Sequence, residues 1–248
     1  MDVKKRGQAT LFIIIAMVIV IILSVTIYVV TRTSTSLGSL EKDRSFVEGQ
    51  IGAVQAHISR CIESETETAV SALLKNGGKT QIEPHALSYF GTPVNYLLYS
   101  GANTMNLRVE IERSLSQKIL SRLDKECSLD AFKDMNPRPE KRKITVQTTL
   151  LDTAVKVDVT YPITFRKGKY QTTLTDFKTF VGSDFGRLYR TADTIVNQEA
   201  GGGEFDATPY QLSFPGIHIK KDSQNANEKV YTLTTDEEKE FLLFATQQ

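Results

Sequence analysis

Residues Leu11 to Val30 read LFIIIAMVIVIILSVTIYVV, uncharged and interrupted only by Ser24, Thr26 and Tyr28. As a helix, about 20 residues rise roughly 30 Å, the thickness of a bilayer's hydrocarbon core. A cleavable secretory signal has an apolar stretch of only about 7–15 residues and a small-residue cleavage site. Here the stretch is longer and Val29-Val30-Thr31-Arg32 closes it. A buried core helix would carry polar interruptions that this run lacks. The run therefore predicts a membrane-spanning helix, with the lipid bilayer as the chain's first partner.

Orientation follows from the flanks. Lys4, Lys5 and Arg6 stand directly before the span, whereas Arg32, Lys42 and Arg44 after it are dispersed among Glu41 and Asp43. Clustered cations favour the cytoplasmic side. The chain is expected in the cell membrane, single-pass, with its N-terminus cytoplasmic and its C-terminal bulk extracellular.

That bulk is large enough for one ordinary domain, or a stalk plus a domain, in a chain of 248 residues. With 40% apolar and 24% charged residues it is expected to fold. Setting aside Asp2, Lys4, Lys5 and Arg6 leaves 27 of the 30 basic and 28 of the 29 acidic side chains. A near-neutral exterior gives no electrostatic reason to expect nucleic acid as a partner.

The pattern Lys5-Arg6-Gly7-Gln8, followed by Ala9-Thr10-Leu11-Phe12, resembles the class III signal of archaellins and type IV prepilins of archaea. The apolar Ile15-Ala16-Met17-Val18 is similar to an archaellin core. The resemblance covers about residues 4 to 30. It implies cleavage between Gly7 and Gln8 by a prepilin peptidase. It also implies assembly with copies of the chain or with other pilin-like subunits. Cutting there would remove every cation holding the N-terminus at the inner face and free an apolar helix to pack against its copies. Two departures stand out. The fifth mature position is Phe12 rather than the glutamate of bacterial pilins, and the Gly-Ile-Gly insert of archaellins is missing. An uncleaved anchor is the alternative.

Beyond the span, Thr31 to Ser39 (TRTSTSLGS) is poor in helix formers and reads as a joint. Val47, Ile51, Val54, Ile58, Cys61 or Ile62, Ala69 and Leu73 then recur in steps that put them on one helical face. Gly77-Gly78 stops that helix. It either continues the span or follows a bend at Gly38. Asn106 to Glu126 is a second amphipathic helix, with Leu107, Ile111, Leu115, Ile119 and Leu123 inward and Leu120 widening the face. The two cysteines, Cys61 and Cys127, each extend an apolar face, so packing the two helices would join the sulfurs in a disulfide. The competing reading is a reactive thiol at Cys61 beside His57. One His and one Cys are too few for a zinc site.

Between these helices, Gln81 to Met105 is broken by Pro84, Gly91, Pro93 and Gly101. It reads as a packed loop with a short helix around Val94 to Tyr99. Alternatively, Tyr89, Phe90, Tyr96, Leu97, Leu98 and Tyr99 make an aromatic contact surface.

Asn136-Pro137-Arg138-Pro139 reads as a stiff linker. After it the period shortens to two. Ile144 to Leu150, Val155 to Phe165 and Tyr170 to Leu174 predict an antiparallel meander, with Pro162 at a bulge or edge. Ser183 to Glu199 predicts a third helix, ended by Gly201-Gly202-Gly203. Tyr210–Ile219, Val230–Thr234 and Glu240–Ala245 read as further strands.

The fold class is therefore α+β. A transmembrane helix is continued by a long amphipathic helix, a second helix packs on it, and an antiparallel sheet with a third helix follows. The parts are 1–30 (cytoplasmic stub and span), 31–135 (helical stalk or helix pair) and 136–248 (β-rich with one helix), although 31–248 could be one domain. From Cys61 onward, Cys127, the strand from Val155 to Pro162 and the closing Phe241-Leu242-Leu243-Phe244-Ala245 are similar to a group of archaeal membrane-anchored proteins. That likeness brings no activity with it.

No Gly-x-Ser-x-Gly elbow, Walker loop, His-Glu-x-x-His or Cys-x-x-Cys occurs. Residues 236–240 (DEEKE) read as a solvated turn. No catalytic, cofactor-binding or metal-binding residue is assigned, and no cofactor is expected. The sequence predicts an extracytoplasmic structural or interaction protein rather than an enzyme. It would be a pilin-like filament subunit or a tethered binding module for an envelope component or partner protein.

Overall fold

The computed structural model describes residues 4–225, 227–236 and 239–248, with side chains omitted at 4–12, 31–37 and 124. The expectations placed on the Lys4, Lys5 and Arg6 side chains and on the Gly7-Gln8 site therefore lie outside what is described. The dominant element is α1, Lys4–Lys75, one helix of 72 residues and about 108 Å at the α-helical rise. It runs through Gly38 as helix, so the amphipathic segment continues the apolar one. Among the described side chains Val47 is its first buried residue. Val54, Ile58, Ile62, Ala69, Val70, Leu73 and Leu74 follow on the face that enters the core. Gly77 and Gly78 end it with positive φ, the Gly78 N–H donating to Leu73 O and the Gly77 N–H to Leu74 O.

The next segment departs from the expected loop and helix. It forms β1 (Leu87–Tyr89), β2 (Thr92–Val94), β3 (Tyr96–Tyr99) and β4 (Ala102–Asn103). Tyr96, Leu97 and Leu98 are buried in succession because β3 lies inside a sheet covered on both faces. Asn95 pins the surrounding chain. Its Oδ1 accepts from the Glu83 N–H at 2.8 Å, and its Nδ2 donates to Asn76 O and Gln81 O, each at 2.9 Å.

Helix α2, Arg108–Glu126, buries Ile111, Leu115, Ile119 and Leu123 as expected. Leu107 and Leu120 do not join them and stay exposed. Leu107 is instead the N-cap, its N–H taken by Glu110 Oε2 at 2.9 Å.

The expected linker is also a piece of sheet. Asn136 turns the chain with φ +44, and β5 (Arg138–Pro139) pairs with Ile163 and Thr164. The meander forms from β6 (Thr145–Leu150), β7 (Ala154–Lys167) and β8 (Tyr170–Gly182). Val155, Val157, Val159, Tyr161, Ile163 and Phe165 are each at most 2% exposed. Pro162 sits where the β7–β8 register shifts between Thr160 and Ile163, and its carbonyl accepts the Glu140 N–H.

Helix α3, Phe185–Ala200, buries Leu188, Ala192, Ile195 and Val196 and touches strands of both large sheets. The segment expected as a strand from Tyr210 to Ile219 instead opens with a short helix, α4 (Ala207–Ser213). It is capped by Asp206, whose Oδ1 accepts the Thr208 N–H at 2.9 Å. Then come β9 (Ile217–Ser223), β10 (Glu228–Thr235) and β11 (Phe241–Gln247).

The second large sheet runs β4-β3-β11-β10-β9 and is mixed, with β3 parallel to β11, so the expected single antiparallel sheet is two sheets. One apolar cluster joins α1, α2, α3 and both sheets, from Val47 to Phe244. The fold is α+β.

Candidate functional site

Three regions of the fold could carry function. The first is the start of α1. Ile13–Val30 has mean hydropathy 3.2 and no residue buried by the rest of the chain. It is one N-terminal helix long and apolar enough to cross a membrane. Within it, Ser24 and Thr26 return their hydroxyls to Val20 O and Ile22 O, each at 2.7 Å, so neither is left unsatisfied in an apolar medium.

The second is the junction of α1 and α2. Cys61 and Cys127 form a disulfide with their Cα atoms 5.7 Å apart, which removes the free-thiol reading of Cys61. His57 is occupied beside it. Its Nε2 lies 2.8 Å from Ser128 O, and its ring meets Phe132 edge-on. Arg122 from α2 reaches Glu65 on α1. This region is a clamp between two helices.

The third is a polar cleft of about 510 Å³ where the β6–β7 turn, the start of α3 and the connection from β10 to β11 meet. It adjoins a cavity of about 280 Å³ along Glu67, Ser71 and Leu74. Glu240 is its centre. It accepts from Ser183 Oγ at 2.9 Å and from the Asp184 N–H at 2.7 Å, so a carboxylate occupies the N-terminus of α3. Burial pushes the Glu240 carboxyl above its ordinary range, the two donors oppose that, and the neighbouring Asp184 adds to it. Asp184 in turn accepts from Arg187 Nη2 at 2.7 Å and Thr235 Oγ1 at 2.8 Å. On the rim, His218 Nε2 lies 2.8 Å from Asp236 Oδ1, both well exposed.

Glu240 and Asp184 both have their donors within the cleft. Ser183 donates to a carboxylate rather than to an imidazole, which is a capping arrangement and not a nucleophile–base pair. Among the described residues, no group of three His, Cys, Asp or Glu side chains is arranged to hold a metal ion.

Residues 236–240 are thus only partly the expected solvated turn. Asp236 is exposed, whereas Glu240 is a partly buried cap. Sequence reasoning missed this site because Ser183, between β8 and α3, meets Glu240, between β10 and β11, across 57 residues. Its one local signal was Ser183-Asp184 ahead of an apolar helical period, an N-cap signature. His85 takes no part in it and stacks on Tyr99.

No known protein family, curated protein or solved structure matches the chain.

Proposed function

We propose that this chain is a membrane-anchored extracytoplasmic structural or interaction protein, and in its sharper form a pilin-like filament subunit. One observation carries the reading: a single helix is divided between two environments. From Ile13 to Val30 it is apolar and unburied, and from Val47 to Leu74 it supplies one wall of the core. A helix of that kind couples whatever the apolar half packs against, lipid or other copies, rigidly to the folded part. The Cys61–Cys127 disulfide supports placing the folded part outside the cytoplasm, where such bonds persist. Lys4, Lys5 and Arg6 would then stay inside. A prepilin peptidase would cut between Gly7 and Gln8 and release the helix for assembly. No enzymatic reaction belongs to this reading.

The intact mass of the protein from its native membrane tests it. A chain beginning at Gln8 is the expected result. Retention of Met1 to Gly7 would remove the filament version. It would leave a tethered binding module, for which the distal polar cleft is the natural contact.

A further inference from the structure

The end of the fold nearest the apolar segment is built around the β7–β8 hairpin. Gly168, at the hairpin tip, abuts the Asp43 carboxylate of α1. Lys167 lies 4.5 Å over the Phe46 ring, and its Nζ donates to Asp134 O at 3.3 Å. Tyr170 Oη donates to Glu48 Oε1 at 3.1 Å. Arg138 stands opposite Thr164 in the β5–β7 pair, and the Glu140 N–H donates to Pro162 O. The other end of β8 lies far along α1, where Val181 and Gly182 line a cavity with Glu67 and Leu74. Three separate segments, 41–48, 130–143 and 166–169, therefore meet at one end.

Charge is divided unevenly between that end and the rest. The three segments hold 10 basic and 6 acidic side chains. The remainder of the chain after Gly7 holds 17 basic and 22 acidic ones. The near-neutral exterior is thus a basic end and an acidic body. Arg44 is taken by Glu48, and Lys143 by Glu140. Lys133, Arg138, Arg166 and Lys169 are exposed and pair with no carboxylate among the described residues. Arg138 and Arg166 share the outer face of the sheet, because Arg138 faces Thr164, two residues before Arg166. Like charges on one face repel, so this end favours an anionic surface against it.

Helix α1 fixes where this end sits. Val30 closes the apolar segment, and Asp43 follows on the same helix about 20 Å further along. Headgroups extend roughly 5–7 Å beyond the hydrocarbon core. Extended basic side chains and a Debye length of about 8–10 Å span the rest. We propose that this basic end is a contact surface for the anionic lipid headgroups of the membrane that holds the chain, with Lys133, Arg138, Arg166 and Lys169 facing them. Lys and Arg held close to a membrane are attracted to an anionic leaflet in this way. A neighbouring copy in the same membrane cannot present its acidic body there, because α1 holds the basic end of every copy at one height. The contact orients the folded part on the surface. It rests on the reading of α1 as a membrane anchor and not on the filament version.

The test uses the full-length chain in vesicles of phosphatidylcholine, alone or in equal parts with phosphatidylglycerol. Gln171→Cys, opposite Arg166 in the β7–β8 register, carries a fluorophore. Nitroxide-bearing headgroups in both leaflets quench it only at short range. Quenching should be about twofold greater in the anionic vesicles at low salt. The difference should vanish at about 1 M salt, where the Debye length is about 3 Å. Lys133→Glu, Arg138→Glu, Arg166→Glu and Lys169→Glu together should abolish it with little change in thermal midpoint. If that variant does not fold, Arg166→Glu with Lys169→Glu should at least halve the difference. Equal quenching in both vesicles, or a difference that survives charge reversal, would overturn the proposal. So would quenching that rises with protein density alike in neutral vesicles, which would put a second copy at this end. Alkaline carbonate washing separates the two readings. A chain washed off the vesicles fails the anchor reading, whereas a retained chain without the difference fails this contact alone.

Discussion

Glu199 Oε1 lies 2.9 Å from Lys229 Nζ, and both side chains are buried. The same carboxylate accepts from Tyr231 Oη at 2.5 Å and from Thr246 Oγ1 at 2.8 Å. One acidic side chain in the last turn of α3 thus ties that helix to β10 and β11. Removing one member of a buried pair leaves the other charged and unsolvated, at a cost of about 3–5 kcal/mol. Glu199→Leu should destabilise the folded part by that order in urea unfolding of the detergent-solubilised protein. Glu199→Gln, which keeps one acceptor oxygen for Tyr231 or Thr246, should cost less. Equal losses would mean that the missing charge opposite Lys229, rather than the bonds from Tyr231 and Thr246, sets the cost.

The Cys61–Cys127 bond closes a separation of 66 residues. The chain-entropy account assigns such a loop about 4 kcal/mol, through the unfolded state. Cys61→Ser with Cys127→Ser should lower stability by that order. In non-reducing peptide mapping, the segments holding the two cysteines should run as one species. Alkylation of both thiols without reductant would refute the bond.

How much of this was legible can be judged element by element. The α1 face, the α2 stripe and the β7 alternation were readable because each is one-sided, and a one-sided element prints its period in the sequence. Leu97 and Leu98 carried no period, since β3 is covered on both faces, and a short helix was as good a reading. Tyr210 to Ile219 failed for a different reason. Asp206 starts a helix just before it, and the apolar residues that resemble a strand divide between α4 and β9. Arg138-Pro139 looked like a linker because proline argues against a strand interior, yet a two-residue edge piece tolerates it. The polar cleft was illegible because its two halves, the β8–α3 junction and the β10–β11 connection, are brought together across 57 residues, the separation of Ser183 from Glu240. The disulfide was readable because each cysteine continued the apolar face of its own helix.

Gly186 separates helix propensity from packing. It lies in the first turn of α3, where alanine is intrinsically better by about 1 kcal/mol. A Cβ there would stand 2.0 Å from the carbonyl oxygen of Leu151, a backbone atom in the β6–β7 turn. Helix and turn would have to separate. Overpacking of this kind typically costs about 1–3 kcal/mol, occasionally more. Gly186→Ala should therefore destabilise the protein in urea unfolding, and a gain in stability would show that the turn yields freely.

Glu240 makes a prediction about pH with a definite sign. Burial raises its folded carboxyl above the ordinary range, so between the two values the folded state binds more protons than the unfolded one. Stability from this group is fully present below the ordinary carboxylate range. It is lost as pH rises through the raised folded value. Glu240→Gln keeps an acceptor for Ser183 Oγ and the Asp184 N–H but cannot titrate. The variant's unfolding free energy should fall less than the parent's as pH rises through that window, and the two profiles should run parallel above it. Parallel profiles throughout would mean that Glu240 titrates alike in both states, and that the contact with α3 offsets its burial.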